Sequence, residues 1–175
     1  MAHVVDGARV VVVMGVSGAG KSTVGSRLAH RLGVPFLEGD DLHPAANRTK
    51  MASGHPLDDA DRRPWLASLA EWIRAAASSG RGGVVACSSL KHSYRDAFRR
   101  TGAEMRFVYL ELTPEVAGER RAHRKGHFMP AQLLGSQYAA LDPLDRDEPG
   151  VTVGASGTPE QVVSAALEAV LGPDG

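Results

Sequence analysis

Apolar positions change their spacing along this chain, from short unbroken runs to stripes that recur every three or four residues. Ala8-Arg9-Val10-Val11-Val12-Val13-Met14 is β-branched and almost uniformly apolar. It predicts a strand covered on both faces, because a half-exposed strand would alternate. The next stretch predicts a helix over Lys21 to Leu32 that stops at Gly33. Pro35 to Glu38 reads as a short second strand. From Pro64, a helix places Trp65, Leu69, Trp72, Ile73 and Ala76 on one face. Gly83 to Ser88 and Met105 to Leu110 predict a third and a fourth strand, and Gly150 to Val153 a weaker fifth. Thr113-Pro114-Glu115 opens another helix by its N-cap threonine and N1 proline. Thr158-Pro159-Glu160-Gln161 carries a capping-box pattern ahead of Val162, Val163, Ala166, Leu167, Val170 and Leu171. Strands that alternate with helices predict a five-stranded parallel α/β sheet covered on both faces.

Composition narrows the classes. The 175 residues fit one domain spanning 1–175. Twenty Lys plus Arg balance twenty Asp plus Glu, which gives no ground for a nucleic-acid or membrane partner. Sixteen of the cations are arginine, several of them between Arg120 and Arg124, a pattern that suits a small anionic ligand. The single cysteine, Cys87, has no partner for an internal disulfide and reads as a buried small apolar residue. The run Val10 to Val16 is too short to span a bilayer, and the N-terminus lacks the basic lead of a signal peptide. A cytoplasmic location is expected.

The sharpest chemical signal is Gly15-Val16-Ser17-Gly18-Ala19-Gly20-Lys21-Ser22, followed by Thr23. It matches G-x-x-x-x-G-K-[ST] at every fixed position, after a predicted strand and ahead of a predicted helix. Glycines let successive backbone N–H groups face one centre, and the helix N-terminus adds partial positive charge. Lys21 is placed to reach the β- and γ-phosphates of ATP, and the Ser22 hydroxyl to ligate Mg2+. A GTPase would need an Asn-Lys-x-Asp segment to read guanine, and the chain has none. The third strand ends in Ser88-Ser89 rather than in the acidic residue that motor and transport ATPases place there. A small-molecule kinase is the expectation, against a non-catalytic nucleotide-binding regulatory domain as the other class.

Ligands of doubly wound sheets collect at the C-terminal ends of strands. Leu37-Glu38-Gly39-Asp40-Asp41-Leu42-His43-Pro44 follows the second strand, so its carboxylates belong near the phosphate loop. Asp40 is the candidate base that orients the acceptor hydroxyl and takes its proton, and Asp41 is expected as a helix N-cap.

With the phosphate loop and this segment, Asn47-Arg48-Thr49-Lys50-Met51-Ala52-Ser53-Gly54-His55-Pro56-Leu57 resembles the bacterial-type gluconokinases. So do Asp61-Arg62-Arg63-Pro64-Trp65-Leu66, Cys87-Ser88-Ser89-Leu90-Lys91 with Tyr94-Arg95-Asp96, and Arg124-Lys125-Gly126-His127-Phe128. The similarity runs from about Arg9 to Leu171. It implies transfer of the γ-phosphate of ATP to the 6-hydroxyl of D-gluconate, on the fold of the nucleoside monophosphate and shikimate kinases. It also implies a mobile lid and a homodimer. Glu38 stands where the family more often has Asp, and Asp41 where an aromatic or apolar residue is common. Shikimate or a nucleotide is the alternative acceptor within the same chemistry.

Gluconate is a monoanion with five hydroxyls, so its site needs a cation for the carboxylate and polar groups for the polyol. His43, Lys50, Arg62 and Arg95 are the candidates, because bidentate arginine–carboxylate pairing is the usual solution. Trp65 reads as core rather than as a ligand platform. The lid is expected over about 120–142, with Arg120, Arg124, Lys125 and His127 facing phosphate and substrate and Gly126 as its hinge. Arg120 and Arg124 share a helix face, and an anion between them would relieve their repulsion.

Overall fold

The computed structural model describes residues 9–123 and 131–171. Within them lie five parallel strands: β1 (Val10–Met14), β2 (Phe36–Glu38), β3 (Gly83–Ala86), β4 (Met105–Glu111) and β5 (Gly150–Gly154). They form one sheet in the order β2-β3-β1-β4-β5. The helices are α1 (Lys21–Leu32), α2 (Ala45–Ala52), α3 (Asp59–Ser78), α4 (His92–Arg99), α5 (Pro114–His123), α6 (Ala131–Ala140) and α7 (Pro159–Leu171). No helix among the described residues is long and apolar enough to cross a membrane.

The uniform apolarity of β1 follows from its place at the centre, paired with both β3 and β4. Val11 and Val13 pack with Val24, Leu28 and Leu32 of α1 and with Val162, Val163 and Val170 of α7. Val10, Val12 and Met14 face the other way, onto Trp65, Leu69 and Ile73 of α3 and Phe98 of α4. Each such side chain, fully buried, is worth about 1.5–3 kcal/mol against exposure. Two apolar layers on one sheet therefore account for most of what holds the fold. The capping box of α7 is present: the Thr158 N–H donates to Gln161 Oε1, and the Gln161 N–H to Thr158 Oγ1. At the far end of α7, Leu171 turns outward and is 38% exposed, so the apolar stripe stops before the helix does.

Two boundaries differ from the sequence expectation. Helix α3 begins at Asp59 rather than Pro64, because Asp58 and Asp61 cap each other reciprocally through side chain and backbone N–H. Pro64 then sits inside α3, where it leaves the Ala60 carbonyl without its helical donor. Asp41 caps no helix. It lies in the 3-10 turn Gly39–Leu42, and Pro44 holds the N-cap position of α2. That turn packs hard against the end of β3: a Cβ on Gly39 would lie 2.6 Å from the Ala86 carbonyl oxygen and 2.8 Å from the Cys87 Cβ. Glycine is the residue that lets the acceptor turn close onto the sheet.

Candidate active site

Three loops leave the C-terminal ends of β1, β2 and β3 and meet at one edge of the sheet, where such folds bind ligands. The first is the phosphate loop. Gly18 and Gly20 adopt φ of 88° and 92°, a left-handed backbone that glycine enters without steric cost and that turns the N–H groups inward. Gly20 is also the N-cap of α1, so the helix presents its unsatisfied N–H groups to the same centre. Lys21 folds back with Nζ donating to the Val16 carbonyl oxygen at 3.1 Å. The Ser22 hydroxyl donates to the Glu38 carboxylate at the end of β2.

Glu38 ties this loop to the acceptor side. Burial pushes its carboxyl above the usual range, opposed by the Ser22 hydroxyl; Asp40 and Asp41 add to the rise and Lys21 counters it. One carboxyl thus lies in the fields of the phosphate lysine and of the proposed base. The hydroxyl of Ser22 and the carboxylate of Glu38 are oxygen donors at a helix N-terminus, a set that fits a hard cation such as Mg2+.

The acceptor turn carries Asp40 into solvent, with its side chain 64% exposed. His43 lies behind it, buried, with its ring stacked on Trp65 at a centroid distance of 4.3 Å. Trp65 donates its indole N–H to the Gly39 carbonyl at 2.8 Å, so this core residue also props the turn. Burial pushes the His43 imidazole below its ordinary pKa, against the pull of Asp40 and with the push of Arg62 and Arg48. Arg62 donates to the Tyr94 hydroxyl, which donates to Asp59; Lys91, the N-cap of α4, donates to the same Asp59 oxygen. The Arg62 guanidinium carbon and the Lys91 Nζ each stand 5.6 Å from the centre of the Tyr94 ring. Two cations are thereby held around one ring beside the acceptor turn.

Arg95 is used differently from the expectation, and Lys50 has a partner of its own. Lys50 makes a 2.6 Å ion pair with Asp61, the residue that caps α3, so its charge is already engaged at the start of that helix. Arg95 is fully buried. It grips Glu148 through Nε and Nη2 at 2.6 and 3.1 Å and donates to the carbonyls of Ser89, Leu90 and Pro143. With its three nitrogens satisfied inside the protein, Arg95 ties the segment after α6 to α4 and does not reach the cleft. The expectation that it touches substrate is corrected on that ground. Cys87 is buried with its thiol pushed up to about 12, chiefly by burial, which removes it as a nucleophile.

On the lid side, Arg120 donates to the carbonyls of Gly18 and Ala155 at 3.0 and 2.7 Å, bridging the phosphate loop and the start of the β5–α7 connection. Gln137 of α6 accepts the Ser17 N–H of the phosphate loop at 2.7 Å. Arg124, Lys125, Gly126 and His127 lie outside the described residues. Sequence reasoning missed Glu38 as the partner of Ser22, Gln137 as the partner of Ser17, and Asn47 as the partner of His43. Only Asn47 left a local signal, four residues after His43 on the adjoining helix.

Comparisons with known proteins agree with this geometry. A family model described as an AAA domain matches residues 10–144. A gluconokinase of Gluconobacter oxydans (strain 621H) is 48% identical over 155 residues, which cover 89% of this chain and 87% of that protein. The thermoresistant gluconokinase of Escherichia coli (strain K12) is 42% identical, covering 92% and 93%. Among solved structures, an unliganded sugar kinase from Janibacter sp. HTCC2649 superposes with a TM-score of 0.86 at 44% identity, over 93% of this chain and 94% of that one. A gluconokinase from Sinorhizobium meliloti 1021 gives a TM-score of 0.83 at 44% identity, over 92% and 90%. The chain belongs to the gluconokinase family of P-loop kinases.

Proposed function

We propose that this chain transfers the γ-phosphoryl group of ATP to the 6-hydroxyl of D-gluconate, giving 6-phospho-D-gluconate and ADP. The observation that carries the reading is the convergence on Glu38. Its carboxylate accepts from Ser22 of the phosphate loop and lies in the fields of both Lys21 and Asp40. A phosphate cradle and an acceptor carboxylate set that close suit in-line transfer between two bound substrates, a geometry a nucleotide sensor does not need.

In this reading the backbone from Gly15 to Gly20 and the α1 N-terminus hold the phosphates, Thr23 closes the loop, and Lys21 follows charge onto the β- and γ-oxygens. Ser22 and Glu38 would hold Mg2+, which neutralises charge on the transferring group when bound. Asp40 orients the 6-hydroxyl and accepts its proton as the oxygen–phosphorus bond forms and the bond to the leaving ADP breaks. His43 serves the polyol. Arg62, with Lys91 beside it, faces the gluconate carboxylate, a pairing that favours a sugar acid over a neutral sugar. Arg120 is assigned to the nucleotide. Arg124 and His127 are assigned to the lid over about 120–142, on sequence alone. The whole chain acts as one kinase domain, taken as a cytoplasmic homodimer that feeds the pentose phosphate pathway.

ADP release should be measured against a panel of sugar acids, shikimate and nucleoside monophosphates. D-Gluconate is expected to give the highest kcat/KM. A higher value for shikimate or a nucleotide overturns the acceptor assignment.

A further inference from the structure

His43 titrates near neutral pH when free, yet it is buried between the acceptor turn and the core. Which of its nitrogens carries the proton decides whether it gives or takes a hydrogen bond. The surrounding atoms fix the answer. The Asn47 side-chain nitrogen lies 2.8 Å from the Asp61 carbonyl oxygen and 3.1 Å from His43 Nδ1. A backbone carbonyl only accepts, so the Asn47 group that faces it must be the NH2 and not the amide oxygen. The other hydrogen of that NH2 points at Nδ1, which must then offer its lone pair. In a neutral imidazole the remaining proton sits on Nε2. Nε2 is the nitrogen that faces the cleft, 4.0 Å from Asp40 Oδ1. Trp65 holds the ring in this plane, stacked at an interplanar angle of 12°.

We propose that Asn47 is a positioning residue: it locks His43 as the neutral Nε2–H tautomer and aims that N–H into the space between Asp40 and the acceptor hydroxyls. The charged groups around the ring agree with a neutral imidazole. Arg62 and Arg48 oppose a second proton, burial opposes it more strongly, and Asp40 alone favours it. An Nε2–H cannot take the proton of an acceptor hydroxyl. His43 is therefore a donor, to Asp40 or to a hydroxyl oxygen of the bound polyol, and the proton released in transfer is left to Asp40. That last step rests on the kinase reading; the tautomer assignment does not. Asn47 also donates to the backbone of Asp61, whose side chain caps α3 and pairs with Lys50. The donor on His43 is thus anchored to the first turn of the helix that carries Arg62.

The test is long-range proton–nitrogen NMR on the whole protein labelled with 15N-histidine, with the His43 signals assigned from His43→Gln. The wild-type ring is expected to carry its proton on Nε2 with Nδ1 bare at neutral pH. A proton on Nδ1, or on both nitrogens, of the wild-type ring overturns the proposal. In Asn47→Asp the new carboxylate accepts at Nδ1 and should move the proton there or add a second one. Turnover should then fall by about ten- to a hundredfold, the scale of losing the partner that orients a working histidine, with KM for ATP little changed. His43→Gln places an amide nitrogen near the Nε2 position and should lose less turnover than His43→Leu; equal losses overturn the donor role. If Asp40→Asn keeps full turnover while His43 stays Nε2–H, the base assignment fails and the tautomer lock is supported on its own readout.

Discussion

The phosphate side and the acceptor side of this cleft are built from different materials. On the phosphate side, the site we assign is made of backbone N–H groups, two left-handed glycines and a helix N-terminus, with Lys21 and Ser22 as its side chains. Such a site depends on local chain geometry, so a stretch from Gly15 to Ser22 specifies almost all of it. The acceptor side is assembled from side chains of α2, α3, α4 and the Asp40 turn, each held by another: Asn47 on His43, Asp61 on Lys50, Tyr94 and Asp59 on Arg62 and Lys91. A backbone cradle fits any triphosphate. An interlocked set of side chains can be tuned to one acceptor, and the cost is that each member must be right.

If that contrast holds, the largest single loss comes from the acceptor side. Asp40→Asn keeps the shape of an exposed side chain and removes its ability to accept a proton. Turnover should fall by about two to four orders of magnitude, the range for loss of a general base, with ATP binding preserved. A loss of only a few-fold would leave Asp40 as a positioning group and move the base to Glu38 or Asp41. Lys21→Ala should lower kcat by at least about a hundredfold, because its charge matters most as negative charge shifts toward the leaving group. Near-normal turnover in that variant would remove Lys21 from the phosphate site.

A third experiment separates substrate contacts from structural ones. Burial pushes the Glu148 carboxyl up, but the bonds from Arg95 and from the Asp145 backbone N–H, with the charges of Arg95 and His92, hold it below the usual carboxylate range. A carboxyl lowered by folding contributes stability that is present above its unfolded pKa of about 4.3 and is lost as pH falls through the lower folded value. Glu148→Gln leaves the Arg95 charge buried without its counter-ion and should cost roughly 3–5 kcal/mol of stability. Denaturant unfolding followed from neutral pH downward should show that difference shrinking in acid. KM for gluconate should barely change. A raised KM at unchanged stability would return Arg95 to the acceptor site.

What the sequence disclosed follows the range over which each interaction acts. Helix α1, from Lys21 to Leu32, and the five strands were legible because apolar periodicity and glycine stops are written within a few residues. The start of α3 was misplaced because the Asp58–Asp61 pair caps as a capping box does with two aspartates, while the proline that drew attention, Pro64, lies past the first turn. Arg95 was misread for a longer-range reason. Its position next to Lys91 on α4 suggests the cleft, but its partner Glu148 lies 53 residues on, in a segment with no recognisable pattern. Trp65 was read correctly as core. Its second duty, stacking on His43, depends on how α3 crosses the acceptor turn, and no spacing reveals that.

The smallest expected effect returns to the phosphate side. Gln137 lies 120 residues from Ser17 in sequence, yet its amide oxygen accepts the Ser17 N–H at 2.7 Å. That N–H belongs to the set a phosphate loop offers to nucleotide oxygens. Gln137 and the phosphates of ATP therefore compete for one donor, and α6, which lies within the proposed lid, is coupled to the cradle through this bond. Exchanging one such hydrogen bond for another is worth about 0.5–1.5 kcal/mol. Gln137→Ala removes the competitor without touching a charge, so ATP should bind about two- to tenfold tighter, as that energy implies. Calorimetric titration of wild type and variant with a non-hydrolysable ATP analogue measures this directly. Weaker binding in the variant would mean that Gln137 turns to contact the nucleotide itself, and the phosphate side would then depend on a distant side chain as the acceptor side does.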